Sequence, residues 1–190
     1  PAAPAAERRR YLDQMLSLAN PDYLGHLSRF RVALAHRNAA LRQGRPELAE
    51  PFGPALARHG AALIAARLGW VQDTAAQFAA ECDGLGELAP VGLEYRGRLE
   101  LADPEAWTPA LRESLARDQV LRSTGIGPHR DDLTVTIGGR GSREFGSTGQ
   151  QRGAAIALRL AASVVISASR GTEPVLLLDD VFAELDDERQ

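Results

Sequence analysis

The residues best suited to chemistry sit near the end of the chain, where the apolar run Val175 to Leu178 leads directly into Asp179 and Asp180. A short continuous apolar run of this kind is the mark of a strand buried on both faces. Two adjacent carboxylates at its exit are costly to desolvate unless something pairs them. A Mg²⁺ ion bridging phosphate oxygens would do so; two acids capping a following helix are the simpler alternative. A second feature precedes it: Ser147-Thr148-Gly149-Gln150-Gln151 opens a long helix-compatible stretch. Orphan N–H groups at a helix N-terminus, the positive end of its dipole and a serine hydroxyl together make an anion site. Gly149 has no Cβ to hold a phosphate away. An ordinary serine N-cap explains the same residues. Asp186 follows Asp180 by six positions, within Ala183-Glu184-Leu185-Asp186.

These features need elements to position them. Residues 150–169 form a helix rich in Ala, Ile, Leu and Val that would carry the Ser147 loop to the strand ending at Asp179. The alternation Leu133-Thr134-Val135-Thr136-Ile137 predicts a strand, Gly138-Gly139 its turn and Arg143 to Phe145 its hairpin partner. Leu93 to Arg98 reads as a further short strand, and Trp107 to Arg122 as a helix. A helix followed by a buried strand implies an α/β layer. Upstream, helices are predicted over 7–19, 22–43 and from Pro54 to about Ala80. The second is capped by Asp22, with Leu24, Leu27, Val32, Leu34 and Leu41 as its apolar positions. The third carries Leu56, Leu63, Ile64, Leu68, Val71 and Phe78. The organisation expected is a helical subdomain over 1–88 and an α/β portion over 89–190.

Composition bounds the rest. The 190 residues are 44% hydrophobic, too apolar for a disordered chain. No run approaches the roughly 18 consecutive apolar residues of a membrane span. A lone Cys82 leaves no internal disulfide framework, so a reducing cytosol is the default. All 22 basic residues are Arg, so a phosphate-binding GxxxxGK[ST] loop, which needs a Lys, cannot lie in this sequence. With Pro1 at its start, the chain reads as a fragment. Its charge is uneven, +5 over residues 1–70 and −8 over 71–190. A basic half could meet phosphate backbones or be a solvated surface. The four His residues (26, 36, 59 and 129) are scattered, with no metal-ligand spacing. His129, beside Arg130 and two acids, reads as structural or interfacial rather than catalytic, and Trp70 and Trp107 as packing residues.

The order of motifs resembles an ABC-type ATPase head: a signature loop at Ser147, a Walker-B strand at Asp179-Asp180, then a D-loop at Asp186. Within that superfamily, three features are similar to the RecF family. They are Gly127-Pro128-His129-Arg130-Asp131-Asp132-Leu133, the signature form Ser147 to Arg152, and Leu176 to Arg189 (LLLDDVFAELDDER) with its Asp-Asp pair. Arg8 to Asp13 and the Arg31 to Arg42 stretch resemble the entry to that family's helical arm.

The resemblance implies the C-terminal portion of an ABC-type head with an inserted all-helical subdomain, the Walker-A lobe lying outside the chain. It implies Asp179 as the Mg²⁺ residue and Asp180 as the catalytic residue that polarises the attacking water. Ser147, Gly149 and Gln150 would contact the γ-phosphate of ATP bound to a second protomer, with Asp186 at the dimer seam. It further implies an ATP-dependent homodimer that binds DNA (duplex, single-stranded and junctions) and acts with RecO and RecR in loading RecA at gaps. Turnover would be slow and confined to the complete protein. Another ABC-type head (RecN-like, SMC-like or a transporter subunit) and a non-catalytic module binding DNA or a partner are the competing readings.

Overall fold

The computed structural model describes residues 3–175. Six α-helices carry most of them: α1 (Ala5–Ala19), α2 (Pro21–Arg42), α3 (Gly53–Gly84), α4 (Trp107–Leu121), α5 (Ser142–Phe145) and α6 (Thr148–Arg170). The strands β1 (Val91–Arg96), β2 (Asp132–Ile137) and β3 (Arg140–Gly141) form one sheet in the order β1-β2-β3. Leu176 to Gln190, and with them Asp179, Asp180 and Asp186, lie outside the described residues.

The chain divides into two compact units that interleave along the sequence. Among the described residues, the first comprises 3–19, 69–95 and 132–175, the second 20–68 and 96–131. No single boundary in the sequence separates these units. The reason is α3, 32 residues long, which begins in one unit and ends in the other.

In the second unit, the cap and the buried face of α2 differ from expectation. Asn20, not Asp22, is the N-cap: its side chain accepts a hydrogen bond from the Asp22 N–H at 2.9 Å. The buried positions are Tyr23, Leu27, Phe30, Ala33, Arg37, Ala40 and Leu41. Leu24 and Val32, placed inside by hydrophobicity, are each 56% exposed. A basic residue thus takes a core position that the apolar pattern could not assign.

Arg37 is held there by Asp118 of α4. Its Nη1 lies 2.8 Å from Asp118 Oδ2, and it donates to Thr124 Oγ1 at 2.6 Å. The other carboxylate oxygen accepts from the Gly125 N–H at 2.8 Å, and Ser114 Oγ donates to Oδ2 at 3.2 Å. Asn38 Oδ1 accepts from both the N–H and the hydroxyl of Thr124, at 2.8 and 2.7 Å. A buried ion pair is tolerated only when its remaining lone pairs and protons are also satisfied. Here both carboxylate oxygens and the Arg37 Nη1 are paired.

The same network anchors the segment 124–131, which includes most of the Gly127–Leu133 motif. Arg67, also buried, donates from Nη1 to the Pro128 carbonyl at 2.7 Å and from Nε to Tyr23 Oη at 3.0 Å. His129 Nε2 meets the Thr124 carbonyl at 3.0 Å, and Phe30 lies beside its ring. Gly127 has φ +112°, and a Cβ there would press on the Trp107 ring, which is itself fully buried and hydrogen-bonded to the Leu101 carbonyl. His129 and Trp107 therefore hold structural positions, as the sequence reading has them.

In the first unit, α1 and α6 pack against each other and α1 against β2. Tyr11 of α1 donates to the Leu158 carbonyl of α6 at 3.2 Å and meets the buried Trp70 edge-on, at 6.4 Å between centroids. Burial pushes the Tyr11 hydroxyl well above its ordinary pKa, with Arg159 opposing. Arg8 and Asp132 form a bidentate pair, with Nε to Oδ1 at 2.9 Å. It ties the start of α1 to the start of β2. Residues 143–145, expected as a hairpin strand, lie instead in the short helix α5. The hairpin partner of β2 is β3, antiparallel with Thr136 opposite Gly141 and Ile137 opposite Arg140. Gly138 and Gly139, with φ of +57° and +75°, make a two-residue turn of the left-handed kind that favours glycine.

By length and mean hydropathy α6 is apolar enough to cross a membrane, although no continuous apolar run of that length occurs in the sequence. Its buried face (Gly153, Ala154, Ala157, Leu158, Ala161, Ala162) is made of small residues apart from Leu158, and Arg152 and Arg159 interrupt its apolar sequence. Small residues let another helix approach closely, which accounts for its packing on α1.

Two outcomes test this account. Arg37→Met is expected to destabilise the protein by about 3–5 kcal/mol, because it leaves Asp118 buried and uncompensated; denaturant titration reads this directly. His59, buried with its Nδ1 3.1 Å from that of His26, has its pKa lowered by burial and then by His26, Arg58 and Arg29. Its stabilising contribution is thus present above the unfolded value of about 6.5 and is lost as pH falls below it. The unfolding midpoint should drop between pH 7.5 and 5.5, and His59→Gln should flatten that dependence.

Candidate functional site

Ser147, Gly149 and Gln150 are brought together by the N-terminus of α6. Ser147 takes extended backbone angles (φ −61°, ψ 162°) and caps the helix. Its Oγ accepts from the Gln150 N–H at 3.2 Å, while Gln150 Oε1 accepts from the Ser147 N–H at 3.0 Å. This reciprocal capping box satisfies two otherwise orphan donors. Ser147 and Thr148 are exposed, and Gly149 and Gln150 half-buried.

The geometry decides which donors remain available. A serine oxygen that accepts an N–H still has its own proton to donate. The first-turn N–H groups of Thr148 and Gly149 have no intrahelical acceptor. What faces outward is therefore a set of donors at the positive end of a 23-residue helix, a fit to phosphate oxygens. Gln150 is more committed: its Oε1 closes the cap, and its Nε2 donates one proton to Glu87 Oε1 at 3.3 Å, leaving one.

Other residues shape the approach. Gly146 N donates to the Ser142 carbonyl at 2.9 Å, and a Cβ at Gly146 would come within 2.5 Å of that same oxygen. Gln151 Nε2 donates to the Gly146 carbonyl at 2.9 Å. The loop is thus pinned from both sides, by one glutamine at each end. Phe145 is 63% exposed, with the Arg140 guanidinium 5.3 Å above its ring. Cys82, near Gln150, has its thiol pushed up to about 11 by burial and by Glu87 and Glu81, so it stays protonated and poorly nucleophilic at neutral pH. Glu87 and Gly146 lie outside the motifs read from the sequence, and Gln151 is inside one without an assigned role. Only the spacing of Ser147 and Gln150, the S-x-x-Q of a capping box, was available as a signal.

No protein-family model matches the chain. Curated proteins do. It is 41% identical over 188 residues to the DNA replication and repair protein RecF of Anaeromyxobacter dehalogenans strain 2CP-C, covering 94% of this chain and 50% of that protein. The RecF proteins of Heliobacterium modesticaldum and Deinococcus deserti are 37% and 36% identical, over 97% and 96% of this chain. The chain is homologous to RecF. It spans about half the length of the curated relatives it matches. Among solved structures it superposes on the recombination mediator protein RecF with ATP in the RecFOR pathway, with a TM-score of 0.87 at 31% identity. That match covers 98% of this chain and 53% of RecF. A second RecF structure, described as RecF-ATPrS, gives 0.88 at 30%. The fold is thus that of part of RecF, an ABC-ATPase-type protein, as the resemblance in the motifs implies.

If the cap sets the loop, Ser147→Ala is expected to cost about 1 kcal/mol and to speed amide hydrogen exchange in the first turn of α6. Gly146→Ala should disturb the same amides through the Ser142 carbonyl. Unchanged exchange in both variants would mean that the loop is held by something else.

Proposed function

We propose that this chain contributes the signature, Walker-B and D-loop side of a RecF-like ATPase, an ATP-dependent DNA-binding protein of recombinational gap repair. The observation that carries the reading is the exposed, Ser147-capped N-terminus of α6 with its unpaired first-turn N–H donors, in a chain homologous to RecF over nearly all its residues. In this reading the first compact unit belongs to the ATPase head and the second to the helical arm.

Ser147 donates its hydroxyl proton to the γ-phosphate of ATP held by a second protomer, and Gly149 presents its N–H without a Cβ in the way. Gln150 keeps Ser147 in place and offers its remaining amide proton. Asp179 is the residue that would hold Mg²⁺, whose chemistry is to neutralise phosphate charge, and Asp180 orients and polarises the attacking water. A carboxylate one methylene shorter than Glu reaches less far, which favours slow hydrolysis. Asp186 lies at the seam of the homodimer. Closing two heads over nucleotide makes ATP the joint between them, and hydrolysis lets them part.

DNA is held chiefly through Arg side chains on phosphates, independent of sequence and sensitive to salt. The form bound is duplex, single-stranded or their junction, and the partners are RecO and RecR in RecA loading, in the cytoplasm. These assignments extend to the whole protein what RecF homology supports for this half.

The test is self-association of the natural full-length protein, read by sedimentation with and without ATP. Ser147→Arg places a bulky cation at the loop and should abolish ATP-driven dimerisation while leaving nucleotide affinity of the monomer nearly unchanged. Loss of monomer binding would mean that the loop acts within its own protomer. Dimerisation indifferent to both ATP and the substitution would favour a non-catalytic interaction module.

A further inference from the structure

Glu87 belongs to none of the motifs that carry the functional reading, yet it touches the loop at their centre. It lies three residues beyond the end of α3, and its backbone is fixed by that helix. The Glu87 N–H donates to the Cys82 carbonyl at 3.0 Å, and the preceding Gly86, with φ +78°, donates to Asp83 at 2.9 Å. Its side chain then turns inward. Oε1 accepts from the Ala89 N–H at 3.1 Å and from Gln150 Nε2 at 3.3 Å. Oε2 is buried without a hydrogen-bond partner among the described residues, against a wall that includes Cys82, Leu85, Val91 and Ile137. A buried carboxylate oxygen left unpaired is costly. Closing the local Glu87–Ala89 turn uses only Oε1, and a surface Ser or Asn could do the same without burying a charge.

The contact with Gln150 gives the carboxylate a task. A glutamine amide has an accepting end and a donating end, and its two flipped orientations differ only in what they meet. The capping box requires Oε1 toward the Ser147 N–H. An ionised carboxylate is acceptor-only, so it accepts Nε2 and rejects Oε1. Glu87 therefore selects the one orientation in which the cap closes and Ser147 is held with its hydroxyl outward.

We propose that Glu87 is a positioning residue for the anion-facing loop: it sets the Gln150 amide and, through it, Ser147. The inference rests on the reading of Ser147 as a phosphate contact, and it links the end of α3 to that contact. It predicts a specific pattern of substitutions. Glu87→Gln keeps an acceptor for both partners, whereas the near-isosteric Glu87→Met keeps volume and removes the acceptor.

The experiment measures ATPγS-driven self-association of the natural full-length protein, together with nucleotide affinity of the monomer and the thermal unfolding midpoint. Glu87→Met is expected to weaken association about tenfold, the worth of one hydrogen bond to a charged group, with monomer affinity unchanged. Glu87→Gln should restore association to within about twofold of the parent, well inside that single-bond effect. Glu87→Ala, read in the same way, serves if the methionine variant does not fold. Ser147→Arg is run alongside. If it leaves association intact, the loop reading itself fails. If it abolishes association while the Glu87 variants match the parent, only the positioning role is overturned. If Glu87→Gln is as weak as Glu87→Met, charge rather than hydrogen-bond acceptance is what matters, and the amide-orientation argument falls.

Discussion

The buried Arg37–Asp118 pair is the constraint on which the second unit depends. Two charges removed from water must find each other, because either one left buried alone would cost the unit several kcal/mol. Here the solution joins α2 to α4 and, through Thr124 and Gly125, anchors the segment that runs into Gly127-Pro128-His129-Arg130. Arg67 adds a second buried guanidinium on the Pro128 carbonyl. The motif that pointed to the RecF family is thus, over this stretch, a polar framework for a loop. Its side chains and carbonyls there engage in hydrogen bonds to backbone, Arg67 to the Pro128 carbonyl and His129 and Arg130 to the Thr124 carbonyl.

The first unit solves a different problem. It must present an exposed, partly unsatisfied helix end while keeping it in one shape. Small residues on α6 let α1 pack closely, and the Arg8–Asp132 pair ties α1 to β2. The loop before α6 is then pinned by two neighbouring glutamines, Gln150 toward Ser147 and Glu87 and Gln151 toward Gly146. Saturating the loop's inward groups holds that helix end in one shape.

Much of the architecture was legible before the structure. The helix boundaries over α1, α3, α4 and α6 follow from Gly and Pro punctuation and apolar periodicity, and β2 from strict alternation. Where the reading went astray, a competing interaction was responsible. Leu24 and Val32 are exposed because the face of α2 is set by what it packs on, and Arg37 is inside because Asp118 is there to meet it. Residues 143–145 form a helical turn because the chain leaves β2 after Gly141 and turns into α5 at Ser142, so the hairpin pairs only Arg140 and Gly141.

By itself, the sequence determined the family resemblance, the α/β character and the Ser147 loop, because motifs, periodicity and capping residues are local and survive in one dimension. It also determined that no Lys-bearing phosphate loop lies within these 190 residues. Only the tertiary structure decided that the two units interleave through α3, that Arg37 and Arg67 are structural, and that Glu87 meets Gln150 across 63 positions. Those outcomes depend on which charged side chains find partners on packing. The pairing free energy exists only once distant segments are adjacent, so no single stretch of sequence carries it.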